Sequence, residues 1–414
     1  MSGYARPPVV VLDDDPTGTQ ESTGIPVLLR RNRRQLAELL EQHRAVHVLT
    51  NTRALTEPAA QTLLVELRTD IAAAQERLGM PILVVQRGDS TLRGHVFAEI
   101  EVFAEPESLV VFVPAFPAGG RRTSNGVHEV LVDGDWVNAA DTEFARDPVF
   151  GYSARTMREY VAGRSSRTAV STPAADFAAA TRSAPPGAVV VPDVASEADL
   201  QIIGDGVRAV IASGRHIVLR CAAPLAALLC GTRSTGLIDH ATFRLRGPVL
   251  VVAGSHTALT TGQLEALTRR PTATVEINTD AAVSDPEAEA GRAGRLLRTE
   301  LTRNELVLLR TERARRSEHA TLDTAARVMG ALAAAVRHAA DLPGYVIAKG
   351  GITSAEVAMV GFGAKTAWVQ GQAAVGISLW TLAGGARRMP YLVVPGNMGE
   401  RTTLASLVAD LVDR

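Results

Sequence analysis

Cysteine is scarce in this chain of 414 residues, where Cys221 and Cys230 are the two that occur. Two thiols exclude a disulfide scaffold and a four-thiolate zinc site, so we expect a reducing compartment. Long apolar runs are also missing, because no stretch approaches the ~18 consecutive apolar residues of a transmembrane helix. The short run Val9–Leu12 meets three acids, which is unlike a signal peptide. We therefore expect a soluble, cytoplasmic protein without a membrane partner.

An excess of charge of one sign is missing as well. Lys and Arg total 43 against 44 Asp and Glu, which gives a formal net charge of −1. Proteins that bind nucleic acids usually carry a strongly basic domain, so this balance argues against a nucleic-acid partner. Hydrophobic residues make up 46% of the chain and charged residues 21%, which is typical of a globular protein with a large core.

Short apolar runs alternate with amphipathic stretches in the first half of the chain. The runs, rich in Val and Leu, predict four buried strands: Val9–Leu12, Val46–Thr50, Ile82–Gln86 and Leu109–Val113. Apolar residues at helical spacing over Arg33–His43 and Pro58–Leu78 lie between them. This alternation predicts an α/β fold with a mostly parallel sheet flanked by helices.

The alternation breaks between Pro114 and Tyr152. Asn125–Gly126 and Asp133–Gly134 are turn signals, and the residues around the second turn alternate as in a β-hairpin. We interpret this segment as an excursion from the sheet, where α/β enzymes often carry substrate loops.

The same alternation resumes in the second half after a stretch without clear periodicity. A strand is predicted at Pro248–Ala253, and helices are predicted at Thr260–Thr268 and Ser317–Ala340. We therefore expect two domains, 1–235 and 245–414, each with a mostly parallel sheet, and an active-site cleft between them.

The first candidate site follows the first predicted strand. Loops after the carboxyl ends of strands are the usual ligand sites of open parallel sheets. Here the loop reads DDDPTG, so that Asp13, Asp14 and Asp15 are adjacent. Three neighbouring carboxylates repel one another unless a cation or hydrogen-bond donors compensate them. The run can ligate Mg²⁺ or act as a general base, or it is an Asp-rich turn with a structural role.

The second candidate site is the segment Gln86–His95, which also follows a strand. Its two arginines beside polar groups suit a carboxylate or a phosphate. Arg53 ends another strand and adds a third arginine to the same edge of the sheet. The structural alternative is that Asp89 or Ser90 only caps the helix that follows.

Strands are also predicted at Tyr345–Ala348 and Tyr391–Val394. Three glycine-containing loops follow predicted strands in the second half: Gly254–Thr257, Lys349–Ser354 and Pro395–Gly399. Glycine lets a ligand approach the backbone, and helix N-termini favour anions. Three such loops in one domain indicate a nucleotide phosphate site, although glycine turns without a ligand remain the alternative. The P-loop motif G-x-x-x-x-G-K-[ST] does not occur.

These motifs, in this order, resemble those of the four-carbon acid sugar kinase family over nearly the whole chain. The family's "ADD-x-TG" turn corresponds to Asp13–Gly18, and its "DSTLRG" motif corresponds to Asp89–Gly94. Its "GS", "GG-x-T" and "G-x-G" turns correspond to Gly254–Ser255, Gly350–Thr353 and Gly396–Gly399. Gln86–Gly88 stands where members often have Lys, so the resemblance leaves the identity of the substrate open.

The resemblance implies an N-terminal acid-sugar domain, a C-terminal ATP domain and an ATP-dependent kinase with Mg²⁺. Its expected acceptor is the terminal hydroxyl of a four-carbon sugar acid such as threonate, erythronate or 3-oxo-tetronate. Asp14 and Asp89 are then the catalytic candidates, and the sequence does not decide which takes the proton. The substrate-binding candidates are Asp15, Arg53, Ser90, Thr91 and Arg93. The ATP-binding candidates are Ser255, Gly350, Gly351, Ile352, Thr353, Gly396 and Gly399.

Two other functions stay open at this point. One is a non-catalytic sensor of sugar acids on the same scaffold, which would need no ATP turnover. The other is a hydrolase or aldolase that uses the acidic cluster with a divalent metal. The sequence does not predict the metal ligands, and it leaves homo-oligomerisation open.

Overall fold

The computed structural model describes residues 7–267, 273–314, 321–385 and 387–413. Strands within the described residues, numbered in chain order, are β1 Val9–Asp13, β2 Ile25–Leu28, β3 Ala45–Leu49, β4 Leu83–Arg87, β5 Leu109–Val113, β6 Arg121–Ser124, β7 Val127–Val132, β8 Asp135–Asn138, β9 Ala169–Thr172, β10 Val189–Pro192, β11 Ile217–Cys221, β12 Val249–Ala253, β13 Ala273–Ile277, β14 Leu306–Thr311, β15 Tyr345–Lys349, β16 Thr366–Ala374, β17 Ile377–Ala383 and β18 Met389–Val394.

The α-helices alternate with these strands. They are α1 Arg33–Gln42, α2 Glu57–Leu78, α3 Val96–Phe103, α4 Met157–Ala162, α5 Phe177–Ser183, α6 Glu197–Ala212, α7 Ala223–Cys230, α8 Ala258–Leu267, α9 Thr279–Ser284, α10 Pro286–Arg303, α11 Leu322–Arg337, α12 Gly351–Glu356 and α13 Thr403–Val412. The predicted start of one helix at Ser317 and the predicted end of another at Thr268 lie outside the described residues.

The chain forms two compact units that do not follow chain order. The first contains the residues up to Asp14 together with Arg31–Arg233, and the second contains Asp15–Arg30 together with the residues from Ser234 onward. The expected boundary at 235 places the segment 15–30 in the first domain. In the structure this segment packs in the second unit, because β2 pairs with β16 in antiparallel orientation.

The sheet of the first unit is entirely parallel. Its order is β3-β1-β4-β11-β5-β10-β9, and every neighbouring pair in it is parallel. Strands β1 and β5 are buried along their whole length, as expected for apolar runs covered by helices on both faces. This confirms the predicted α/β fold, and it places the carboxyl ends of β1, β4 and β11 side by side.

A separate three-stranded antiparallel sheet, β6-β7-β8, forms the predicted excursion. Asn125–Gly126 joins its first two strands and Asp133–Gly134 joins its last two. All four of these residues have positive φ angles. Two-residue turns of this kind match the twist of hairpin strands, which is why Asn-Gly and Asp-Gly are favoured there. The predicted hairpin is therefore confirmed, and a second hairpin precedes it.

The second unit contains a mixed sheet. Strands β13-β14-β12-β15-β18 are parallel neighbours, and β17, β16 and β2 follow in antiparallel orientation. Its core includes Val251, Ile347 and Leu392 from three adjacent parallel strands. The carboxyl ends of β12, β15 and β18 therefore lie next to one another.

Several elements of the second unit escape sequence reasoning, among them α10 and β17. Helix α10 buries a face of small residues, including Ala290, Ala293 and Gly294, so its apolar signal is weak. A Cβ atom at Gly294 would lie 2.5 Å from the ring of His338, which follows the last residue of α11, so α10 and the end of α11 pack closely there. Strand β17 begins directly after a turn at Gly376 and is buried between two antiparallel neighbours. Among the described residues, no helix is long and apolar enough to cross a membrane.

We predict that Thr19→Val destabilises the second unit, although residue 19 stands near the start of the chain. The indole Nε1 of Trp380 donates to Thr19 Oγ1 at 2.8 Å, and both residues are buried. Valine removes the acceptor, and an unsatisfied buried N–H costs about 1–3 kcal/mol. Hydrogen exchange measured by mass spectrometry should accelerate in β16 and β17 but not in β5 and β10.

The matched control is Thr62→Val on the exposed surface of α2. It should leave exchange in both units unchanged. Equal exchange in β16 and β17 for the two variants would contradict the role of Thr19.

Candidate functional site

Asp14 occupies the centre of a buried charge cluster at the end of β1. Its Oδ1 lies 3.3 Å from Arg87 Nη1 and 3.6 Å from Arg53 Nε, and its Oδ2 lies 3.2 Å from Arg220 Nη2. The Asp14 side chain is 0% exposed. A buried carboxylate is tolerated only when partners compensate it, and three guanidinium groups do so here.

Asp13 shares Arg87 with Asp14 and has His47 as a further partner at the same strand end. Its Oδ2 lies 2.5 Å from Nδ1 of His47 on the neighbouring strand β3, and its Oδ1 lies 3.9 Å from Arg87 Nε. The first two carboxylates of the acidic turn are thus both compensated within the first unit.

Asp89 stands in the loop after β4 and binds the more accessible arginines. Arg93 Nε donates to its Oδ2 at 2.9 Å, the Thr91 hydroxyl donates to the same oxygen, and Arg53 Nη1 lies 3.5 Å from Oδ1. Burial by itself would raise the pKa of Asp89, but the charges of Arg93 and Arg53 and these hydrogen bonds outweigh it. The pKa of Asp89 therefore lies well below its usual range.

The accessible edge of the cluster consists of Arg53, Arg93 and Asp89. Their side chains are 12%, 18% and 8% exposed, respectively. Ser90 and Thr91 are buried beside them. Of the residues predicted for the acid site, these five lie together in the first unit, and Asp14 lies behind them as a fully buried support.

Two residues of this cluster were missed by sequence reasoning. Arg220 is the next-to-last residue of β11, and its Nη1 donates to the buried carboxylate of Glu99 on α3. Gly88 makes this possible, because a Cβ atom there would lie 2.5 Å from the Arg220 guanidinium. The available signal was a charged residue inside a mainly apolar segment, Arg220 in HIVLRC and Glu99 in VFAEIEVF, although Glu101 gives the second segment another charge.

The three glycine loops of the second unit converge at the ends of β12, β15 and β18. A Cβ atom at Gly396 would lie 2.5 Å from Ser255 Oγ, and one at Gly350 would lie 3.0 Å from Ser255 Cβ. The Thr257 hydroxyl donates to the Gly396 carbonyl at 2.7 Å. Glycine is required here by close packing, and the loops form one continuous surface around Ser255.

Asp15 belongs to this second group of residues. Its side chain accepts from the backbone N–H of Thr17 at 2.8 Å, and a Cβ atom at Gly351 would lie 2.5 Å from its Oδ2. The third carboxylate of the acidic turn thus lies against the start of α12. Sequence reasoning had grouped it with the acid-sugar residues.

The remaining predicted nucleotide residues differ in exposure. Ile352 is exposed, whereas Thr353 is buried, and a Cβ atom at Gly254 would lie 2.5 Å from Thr353 Oγ1. Gly399 has a φ angle of +84° and packs against Thr403. Thr353 and Gly254 therefore belong to the packed base of the surface.

Lys349 is a further residue that sequence reasoning did not single out. It ends β15, it is 0% exposed, and its Nζ donates to the Pro395 carbonyl at 2.6 Å. Burial lowers the pKa of Lys349 to about 7. It is one of two lysines in the chain, the other being Lys365, and its position inside a buried strand was the available signal.

A dedicated metal centre is not evident within the described ranges, where no group of three or more His, Cys, Asp or Glu side chains could hold a metal ion. Mg²⁺ usually needs only one or two protein carboxylates together with substrate phosphates. Asp15, beside Gly351 and the glycine loops, fits such a site.

Comparison with known proteins gives two domains that follow chain order. The chain matches the model of a sugar-binding N-terminal domain over residues 9–229 and that of a nucleotide-binding C-terminal domain over residues 250–404. It is 31% identical to the D-erythronate kinase of Heliobacterium modesticaldum over an alignment of 290 residues. The match covers 63% of this chain and 60% of that protein. The match thus spans less than two thirds of that kinase.

Two solved structures share the fold. A Salmonella typhimurium LT2 protein provisionally described as a tRNA synthase has a TM-score of 0.67 and 15% identity, covering 96% of this chain and 98% of its own. Haemophilus influenzae protein HI1011, assigned to the domain of unknown function DUF1537, has a TM-score of 0.60 and 14% identity. That match covers 97% of this chain and 100% of the Haemophilus chain. At these identities the likeness shows the fold alone.

We predict that Arg220→Met destabilises the protein by about 3–5 kcal/mol, because it leaves Asp14 and Glu99 buried without their shared partner. The measurement is the free energy of unfolding in urea. Arg34→Met is the control, since Arg34 forms an exposed pair with Glu38 on α1 and its loss should have no measurable effect. Equal stability of the two variants would show that Arg220 does not compensate the cluster.

We also predict that Lys349→Met changes how stability depends on pH. The unfolded chain keeps this proton up to about pH 10.5, but the native protein keeps it only up to about pH 7. The stability of the wild-type protein therefore rises between these values, and that contribution is absent in the variant. The difference in unfolding free energy, variant minus wild type, should fall as pH rises from 7 to 10.

Lys365→Met is the control for this measurement, because Lys365 is the other lysine and is exposed in the same unit. Its difference from the wild-type protein should stay constant with pH. A flat difference for Lys349→Met as well would exclude a lowered pKa.

Proposed function

Because the chain belongs to the four-carbon acid sugar kinase family, we propose that it transfers the γ-phosphoryl group of ATP to a four-carbon sugar acid. The proposed acceptor is the terminal hydroxyl of an acid of the threonate, erythronate or 3-oxo-tetronate type. The observation that carries this proposal is the accessible edge of the charge cluster, where Arg53 and Arg93 flank Asp89.

The two arginines are suited to the carboxylate of the substrate. A guanidinium group can donate two parallel hydrogen bonds to a carboxylate, which a neutral sugar cannot accept in the same way. Arg53 and Arg93 are both partly accessible, and both contact Asp89. Arg53 also lies 3.6 Å from Asp14, and Arg93 lies 3.8 Å from Asp147. Because a guanidinium group carries five N–H donors, these contacts do not by themselves exhaust its capacity to bind an incoming carboxylate.

Asp89 is better suited to orienting the acceptor hydroxyl than to accepting its proton as a general base. A general base works best when its pKa lies near the working pH, and the pKa of Asp89 is strongly lowered. Phosphoryl transfer relies mainly on positioning and charge stabilisation, so a weak base in the right place is sufficient. Asp14, fully buried behind the arginines, holds them in position.

The second unit is the proposed ATP site, with the nucleotide phosphates against the loops of Ser255, Gly350–Thr353, Gly396 and Gly399. Small residues let phosphates approach the backbone N–H groups there. Asp15 beside Gly351 would repel a triphosphate unless a cation lay between them, so it is the proposed protein ligand of Mg²⁺. When bound, Mg²⁺ neutralises charge on the β- and γ-phosphoryl oxygens.

The test is ADP release from Mg-ATP with a panel of four-carbon acids: D-erythronate, D-threonate, L-threonate and 3-oxo-tetronate. The matched control is erythritol, which has the hydroxyls of erythronate without its carboxylate. At least one acid should be phosphorylated and erythritol should not. Acid binding without ADP release would instead support the sensor, and metal-dependent cleavage without ATP would support the hydrolase or aldolase.

We predict that Arg93→Ala and Asp89→Asn affect different kinetic constants. Arg93→Ala should weaken acid binding by ~2–4 kcal/mol, because it removes a partly desolvated charge pair. Asp89→Asn should lower turnover by roughly 10²-fold, because it removes the carboxylate that orients the hydroxyl. Steady-state kinetics with each substrate varied in turn would measure both effects.

The control for both variants is the KM for ATP, which should hardly change because the proposed ATP site lies in the other unit. Both variants should melt earlier than the wild-type protein, because each removes an ion pair of the charged Asp89, so the KM for ATP is the deciding readout. Early melting together with weakened ATP binding would mean that the loop has a structural role. Near-normal turnover in both variants would exclude these residues from the site.

A further inference from the structure

Three consecutive backbone carbonyls in the loop after β4 are held by side chains from the excursion and from α4. His128 Nε2 bonds the Ser90 carbonyl at 2.8 Å, Tyr152 OH bonds the Thr91 carbonyl at 2.9 Å, and Tyr160 OH bonds the Leu92 carbonyl at 2.6 Å. All three donors are buried. The loop is thus fixed from outside the parallel sheet.

The loop needs this support because its backbone is unusual. Leu92 has a φ angle of +67°, a left-handed conformation that is costly for a residue with a branched side chain. Its side chain packs in the same apolar cluster as Tyr152 and Tyr160. The hydrogen bonds and this packing offset the conformational cost and keep Asp89 and Arg93 at fixed positions.

His128 is a permanent neutral donor in this arrangement. Burial lowers the pKa of His128 to about 4, so the ring is uncharged near neutral pH. A carbonyl can only accept, so Nε2 carries the proton. Nδ1 then accepts from the Thr123 hydroxyl at 3.0 Å. Both ring nitrogens are satisfied and the tautomer is determined.

The excursion also contacts the proposed carboxylate-binding arginine. The Arg93 guanidinium lies 5.1 Å from the centre of the Phe144 ring, and its Nη1 lies 3.8 Å from Asp147 Oδ2. The same segment therefore orients both the backbone and the charged side chain of the loop.

We propose that His128, Tyr152 and Tyr160 are positioning residues that set the affinity of the Asp89–Arg93 loop for an acid; this rests on the proposed function. A carbonyl oxygen carries partial negative charge and repels a carboxylate. Three donors engage these carbonyls and turn them away from an anionic ligand. The selectivity for an acid over a neutral polyol then depends on the excursion as well as on the arginines.

The experiment uses the full chain with Tyr152→Phe, Tyr160→Phe and the double variant, each of which removes only hydroxyl groups. Calorimetric titration should show D-erythronate affinity about 3–10-fold weaker in each single variant, as expected for one lost hydrogen bond. The KM for ATP should not change. Hydrogen exchange of the amides at 90–94 should accelerate.

Three further variants separate positioning from general stability. Tyr345→Phe also removes a buried hydroxyl, which bonds His240 in the second unit, so it controls for the loss of one buried hydrogen bond. His128→Gln keeps an N–H donor and should retain more acid affinity than His128→Ala. A variant that melts early but keeps this order of acid affinities still supports positioning.

The outcomes are distinguishable. Failure of the wild-type protein to bind any four-carbon acid would overturn the proposed function. Normal acid affinity and normal exchange at 90–94 in the Tyr→Phe variants, with a wild-type protein that binds the acid, would overturn only the positioning role. A loss of acid affinity together with an increase in the KM for ATP, both of the size seen in Tyr345→Phe, would also overturn it.

Discussion

The compensation of one buried carboxylate organises the candidate site of the first unit. Asp14 has no exposed surface, and it lies against guanidinium groups from three places in the sequence: Arg53, Arg87 and Arg220. Burying these charges is tolerable only if their geometry is kept, because an unpaired buried charge is strongly destabilising. The alignment of β1, β4 and β11 brings these groups together, and the absence of a side chain at Gly88 leaves room for the Arg220 guanidinium.

The three adjacent carboxylates of the acidic turn belong to two different units. Asp13 and Asp14 are compensated by partners in the first unit, whereas Asp15 packs against Gly351 in the second. Adjacent residues in an extended or turning backbone point in different directions, so a run of identical side chains need not share a function. Arg87 lies near both Asp13 and Asp14, whereas Asp15 contacts the second unit, so cationic and hydrogen-bonding partners relieve the repulsion expected for three neighbouring carboxylates.

The two units position their loops by different means. In the first unit, ion pairs and hydrogen bonds from the excursion and from α4 hold the residues Asp89–Arg93. In the second unit, Gly350 and Gly396 pack so closely against Ser255 that a Cβ atom at either position would crowd it. Lys349 donates a hydrogen bond to the Pro395 carbonyl. Fixed charge suits an anionic ligand of defined shape, and exposed backbone suits phosphates.

The sequence by itself determined the features that depend on near neighbours along the chain. Apolar runs predicted β1, β4 and β5, Asn-Gly and Asp-Gly predicted the turns at 125 and 133, and the motif loops were correctly located after strands. Only the tertiary structure decided which distant residues meet. Arg220 reaches a partner 206 positions away, and the segment 15–30 belongs to the second unit because β2 pairs with β16. Such pairings depend on strand order in a sheet, which periodicity along the chain does not encode.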